Sequence, residues 1–240
     1  SMYKSNVLTE GILPSIAIRG IAPFPHTDLR IEVGRIISKN ALLEAEKNFD
    51  SHVLLLIQEN PMHDTPTTTN VLQHGVVAKI GIKIKLPNGN FKVKFDPIVR
   101  AEILQIEATT PHFITRFKTM PTVQDDIDQE LALVRMLAKQ VVDNSKTLLK
   151  NPKQALDAIQ KGVSSENLCD IVADSLKIGE NLKFKYIETS SLNKRLTYLL
   201  EDIEKEKYMS RIENQINLTV KKNIDENQKE YYLREKMRAI

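Results

Sequence analysis

Val76-Val77-Ala78-Lys79-Ile80-Gly81-Ile82-Lys83-Ile84-Lys85-Leu86-Pro87-Asn88-Gly89-Asn90-Phe91-Lys92-Val93-Lys94-Phe95 is the stretch that decides the fold class. Two strand-like arms, Val76 to Leu86 and Phe91 to Phe95, flank Pro87-Asn88-Gly89-Asn90. Asn-Gly accepts the positive φ of a tight turn, so the stretch reads as a β-hairpin. With Asn88-Gly89 at the turn centre, Lys85 would oppose Lys92 and Lys83 would oppose Lys94. Like charges directly opposite one another slightly destabilise a ladder. These four lysines are therefore a candidate surface for a polyanion or an acidic peptide. The plainer reading is a solvated face that resists edge aggregation, and it is the one favoured.

Working outward, Ile12 to Ile18 alternates weakly, and Val53 to Ile57 is continuously apolar, as in a strand buried on both faces. Ile98 to Ala108 and His112 to Met120 supply two more strands. One helix interrupts them, with Ser38 as its expected N-cap and Ala41, Leu42, Ala45 and Phe49 on one face. Ile31, Val33, Leu54 and Leu56 read as core. Nine of ten prolines lie at or before Pro121 and six of eight glycines at or before Gly89, which separates a strand-and-turn region from a helical one. The expectation is an α+β chain with a small barrel-like, β-rich module carrying one helix over 1–121.

Residues 122–190 read as a helical bundle. Asp125, Asp126 and Asp128 suit a helix N-terminus, and Leu131, Val134, Leu137, Ala138, Val141 and Val142 form a 3.6-residue apolar face. Ser164 is placed to cap a helix carrying Leu168, Ile171, Val172 and Leu176, with Gly179 closing it. A short helix is expected over Leu182 to Ile187. Residues 191–240 form a long helix in which Leu192, Leu196, Leu199 and Ile203 dock on the bundle. Glu204 to Lys207 breaks the stripe. Met209, Ile212 and Ile216 then offer a thin assembly seam, joined by Tyr231, Tyr232 and Leu233. No stop signal closes this helix, so the reading expects an interrupted helix with more protein after it.

Composition excludes several classes. The net charge of +3 divides into +3, −2 and +2 over the three regions, so no block carries a large field. No run approaches the roughly 18 apolar residues of a membrane span, and Ser1 to Asn6 has no apolar signal core. The single cysteine, Cys169, lies among apolar helix formers and reads as a buried thiol. Together these features favour the cytoplasm. His26, His52, His63, His74 and His112 show no ligand spacing and no thiolate partners, so no metal site is expected.

Several ordered segments resemble the N-terminal region of the Lon ATP-dependent proteases. Leu13-Pro14-Ser15-Ile16-Ala17-Ile18-Arg19-Gly20, then Phe24-Pro25 and Val33-Gly34-Arg35, are similar to its opening strand and loop. Gly75 to Ile80, Leu86-Pro87-Asn88-Gly89 and Arg100-Ala101 resemble its central hairpin. Leu168 to Leu176 looks like a bundle helix, while Lys194-Arg195-Leu196 and Gln228 to Ile240 look like the helix leading into the ATPase module. His26 departs from the glycine that commonly follows Phe-Pro in the family, and Phe95-Asp96-Pro97 replaces a usual valine-glutamate-glycine turn.

The resemblance implies a non-catalytic region that binds unfolded or degron-bearing substrates and supports a homohexamer. No catalytic, cofactor or metal residues are expected in this stretch, and ATP and Mg are expected only for the full-length protein. A Gly-rich phosphate loop ending in Gly-Lys-Ser/Thr is absent. Ser145-Lys146 is a pair of helix neighbours that do not face each other, not the family's serine–lysine dyad. A groove between the first region and the bundle is the expected substrate surface. The alternatives are weak nucleic-acid binding through the lysine hairpin, or a purely structural assembly element; no membrane partner is expected.

Overall fold

The expected hairpin forms, but its loop holds three residues rather than two. In this computed structural model, which describes residues 2–62 and 66–239, the Leu86 N–H donates to Asn90 O at 2.8 Å and the Gly89 N–H to Leu86 O at 3.0 Å. Gly89 sits at φ +86°, the left-handed position that closes a three-residue loop. The extra loop residue shifts the register by one. Lys85 opposes Phe91, Ile84 opposes Lys92, Lys83 opposes Val93 and Ile82 opposes Lys94. The expected lysine–lysine pairs do not exist.

The strands are β1 (Glu10–Arg19), β2 (Leu29–Val33), β3 (His52–Gln58), β4 (Val71–Lys85), β5 (Phe91–Ala108) and β6 (Phe113–Thr119). The two segments expected on either side of Pro97 are one continuous strand, β5. Pro97 is accommodated where the β4–β5 register shifts, between Val77 and Ala78, since a bulge tolerates a missing N–H. The sheet order is β2-β5-β4-β3-β1-β6, and β5 also pairs with β6. That last pairing closes β1, β3, β4, β5 and β6 into a ring, the small barrel expected. β2 lies outside the ring on the first half of β5, and β1–β3 is a parallel pair.

β3 explains the two cores. All seven of its residues are buried. Leu54 and Leu56 join Leu13, Val77, Val99, Phe113 and Phe117. Val53 and Leu55 pack with Ala41, Leu42 and Ala45 of helix α1 (Ile36–Asn48). Period-2 alternation sends successive side chains to opposite faces, so one strand serves both clusters. The N-cap expected at Ser38 is incorrect. α1 starts three residues earlier, behind Arg35, and Ser38 is buried inside the helix.

The helical part comprises α2 (Ile127–Leu148), α3 (Pro152–Lys161), α4 (Ser165–Ser175), a 3-10 turn (Glu180–Lys183) and α5 (Phe184–Glu188). Asp126 caps α2 by accepting from the Gln129 N–H at 3.1 Å, and Ser164 caps α4 through Asn167 N–H at 3.2 Å. The face expected for α2 is rotated: Leu137 and Val141 are buried, but Leu131 and Val142 are exposed. α4 closes at Leu176, not Gly179, which instead precedes the 3-10 turn. Helix α3 was not expected, although Pro152 at its start and left-handed Gly162 at its end are ordinary boundary signals.

Helix α6 (Leu192–Arg238) has 47 residues, a length of roughly 70 Å. Leu192, Leu196, Leu199 and Ile203 are buried, as the stripe predicts, whereas Met209 and Ile216 are about half exposed. The chain divides into two compact units, one up to Leu200 and one from Glu201. The barrel and helices α2–α5 share the first. Among the described residues no helix is long and apolar enough to cross a membrane.

Candidate functional site

Within the first unit, the barrel meets the helices across a buried polar junction. Arg100, on β5, is 2% exposed. Its Nε donates to Tyr186 O on α5 at 2.9 Å, and its Nη2 to Asp170 Oδ1 on α4 at 2.7 Å. His26 Nδ1 lies 2.9 Å from Asp170 Oδ2. Burial works to raise the Asp170 carboxyl, but the Arg100 guanidinium and the hydrogen bonds from His26 and Arg100 outweigh it and hold it below the usual carboxylate range. A second buried guanidinium, Arg195, donates to Thr189 O at 2.6 Å and Thr122 Oγ1 at 2.9 Å, and Thr122 donates onward to Glu166 at 2.7 Å. Breaking a buried ion pair of this kind by removing one partner costs roughly 3–5 kcal/mol. The junction therefore holds helices and barrel in a fixed arrangement.

A groove opens beside this junction. It is lined by Gly20, Glu59, Asn60 and Pro61 from the barrel and by Glu180, Asn181 and Phe184 from the 3-10 turn and α5, with a volume of about 590 Å³. The Glu180 carboxylate accepts from the Ala22 N–H at 3.2 Å and lies 3.7 Å from Lys183 and 3.9 Å from Lys150. Lys183 is buried and donates to Asp174 O at 2.6 Å; burial lowers its pKa. Burial also pushes the Asp174 carboxyl up, to about 6. Next to the lining residues in sequence, Met62 is 82% and Leu182 54% exposed. A groove between the first region and the bundle was expected, and this one takes its walls from both, though its residues were not legible in advance.

The hairpin lysines do not form one patch. Residues directly opposite share a face, so Lys83 and Lys85 lie with Val93 and Phe91, and Lys92 and Lys94 lie with Ile84 and Ile82. The Lys83 ammonium pairs with Glu46 and sits 4.6 Å from the Phe91 ring centre. Lys94 is 3.5 Å from Asp96. On α6, Ile212 is half-buried while Met209, Ile216, Tyr231, Tyr232 and Leu233 are exposed, and Lys236 lies 4.7 Å from the Tyr232 ring centre.

Two of the five histidines are buried. His52 packs on Tyr3 at 5.5 Å between ring centres, and His112 Nδ1 lies 2.9 Å from Phe113 O. His74 is half-buried opposite Glu102, and His63 lies outside the described residues. His26, Glu166 and Asp170 place three ligand atoms within 4.8 Å of one another. Asp170 already carries the Arg100 guanidinium, so a metal ion there would meet a fixed positive charge. The cluster is an ion-pair junction. Burial raises the Cys169 thiol to about 12, which leaves it protonated and unreactive.

Residues 12–205 match the family model described as the ATP-dependent protease La (LON) substrate-binding domain. The chain belongs to this Lon family. A Lon protease of Aster yellows witches'-broom phytoplasma (strain AYWB) is 40% identical over 95% of the chain, and a Lon protease of Escherichia coli (strain K12) is 31% identical over 95%. The chain spans 29% of the length of each of these relatives. Among solved structures, the N-terminal domain of Mycobacterium avium complex Lon protease matches 81% of this chain and 98% of its own, with TM-score 0.66 at 16% identity. The Lon N-terminal domain protein from Xanthomonas campestris covers 80% of this chain and 98% of its own, with TM-score 0.54 at 10% identity. At these identities the structural likeness establishes the fold, an α+β Lon N-terminal architecture. The Arg100–Asp170 pair of this Lon chain was not singled out as a pair in the sequence. Its signal was a lone arginine among Ile98, Val99 and Ala101, and a lone aspartate among Leu168, Cys169, Ile171 and Val172.

Proposed function

We propose that this chain captures unfolded or degron-bearing protein segments for an ATP-dependent Lon-type protease. The groove between the barrel and the 3-10 turn carries this reading, because its walls come from both the barrel and the helical part and the exposed Met62 and Leu182 adjoin its lining residues in sequence. Binding is weak and multivalent, raising the local concentration of substrate near the ATPase pore. The exposed Met209 and Ile216 and the residues Tyr231 to Leu233 support a second role, as association surfaces in a homohexamer.

ATP hydrolysis and peptide cleavage belong in this reading to the remainder of a longer protein. The residues present do not fit a nucleotide. No Gly-rich loop ends in Gly-Lys-Ser/Thr, and the N-termini of α2 and α4 are occupied by the side chains of Asp126 and Ser164. The reading places the protein in the cytoplasm, in keeping with its single, buried cysteine. A pull-down of a carboxymethylated, permanently unfolded model protein tests the capture role. Retention at micromolar concentration is the expected result, and no retention at high micromolar concentration sinks the idea.

A further inference from the structure

Among the described residues, two strand edges of the barrel region have no further strand beside them. β2 pairs with β5 along Leu29–Val33 and stands at the end of the strand order. β1 pairs with β6 only as far as Ser15, opposite Phe113, so from Ile16 to Ile18 β3 is its one strand neighbour among the described residues. Both edges line one cavity of about 370 Å³, which includes Ala17, Arg19, Ile21, Ile31, Glu32 and Arg35. At the β1 edge the Ala17 carbonyl accepts from Arg35 Nη2 at 2.5 Å. A side chain thus meets a carbonyl that a neighbouring strand's N–H would otherwise satisfy. A flat strand edge with open N–H and C=O groups is a template for another chain, and native proteins usually cover it.

We propose that this slot accepts an extended polypeptide segment as an added strand along the free edge of β2. The inference rests on the capture reading above and gives it a recognition chemistry. Backbone hydrogen bonds supply sequence-tolerant affinity, while alternate side chains supply preference. β2 has five residues, enough to pair with a segment of similar length, about 17 Å. One row of the segment's side chains meets Ile21 and Ile31. Arg35 also donates to Gln58 Oε1 at 3.2 Å, and Glu32 accepts from Asn90 Nδ2 at 3.0 Å, so the charged groups of the slot are held in place.

The test uses the 240-residue chain and a seven-residue peptide alternating valine and glutamate, with versions N-methylated on the valines or on the glutamates. Strand addition predicts that amide exchange across Leu29 to Val33 slows on binding. It also predicts that at least one methylated version binds tenfold more weakly or worse. A peptide that binds with neither effect overturns the strand mode and leaves capture standing. Failure to bind this peptide, while carboxymethylated unfolded protein still binds, also overturns the strand mode alone. Failure of both overturns both readings.

Discussion

His26 shows how one residue carries two opposing effects. Its φ of +68° lies in the left-handed region, which costs a non-glycine residue roughly 1–2 kcal/mol, and the Lon resemblance puts glycine at this position. Its ring compensates by reaching Asp170 at 2.9 Å. Replacing His26 by Gly should leave the unfolding free energy within about 1 kcal/mol, because strain and hydrogen bond disappear together. His26→Ala keeps the strain and loses the bond, so it should destabilise by roughly 1–3 kcal/mol. Urea unfolding of the two variants separates these cases; equal losses would contradict the account. Asp174 makes a pH prediction. Its carboxyl is raised from 3.8 to about 6 by burial, so the folded state holds this proton more tightly than the unfolded chain. Its contribution therefore favours folding at pH below about 4 and is lost as pH rises through 6. Asp174→Asn should raise stability at pH 7–8 by on the order of 1–2 kcal/mol and flatten the profile between pH 4 and 7. A variant no more stable than the parent at pH 8 would count against it.

At the scale of elements, the sequence announced most strands and helices but not their phase. Asn88-Gly89 marked a hairpin, yet two- and three-residue loops share that signature, and the difference is one residue of register. That one residue dispersed the lysine surface. On α2, periodicity identified a helix whose inner face was misjudged: Leu131 and Val142 point to solvent while Glu130 and Ser145 are buried. An apolar stripe reports what a helix could bury, and its neighbours decide what it does bury. α6 was legible through Ile203 because its leucines alternate in steps of four and three. Beyond that point, Met209 and Ile216 are exposed on a helix whose first third is already packed. Met209→Glu with Ile216→Glu should leave the melting temperature of the 240-residue chain within about 2 °C, since exposed sites contribute little to folding. The same pair should reduce self-association in sedimentation, and unchanged oligomers would remove these residues from the seam.

At the scale of the molecule, the barrel, the helices and their buried junction form one unit whose grooves open between elements distant in sequence. Gly20, Pro61 and Phe184 meet only after folding, so no local pattern could have named them. The family was readable because short motifs keep their order along the chain; the groove was not, because its walls come from loops and helix ends that carry little periodicity. Capture at that groove is the central claim. The most direct measurement is a fluorescence titration of carboxymethylated unfolded protein against the parent chain and against Asn181→Trp, which fills the groove from an exposed position. The account predicts saturable micromolar binding by the parent and at least fivefold weaker binding by the variant, with both melting alike. Equal binding by the two proteins would contradict it.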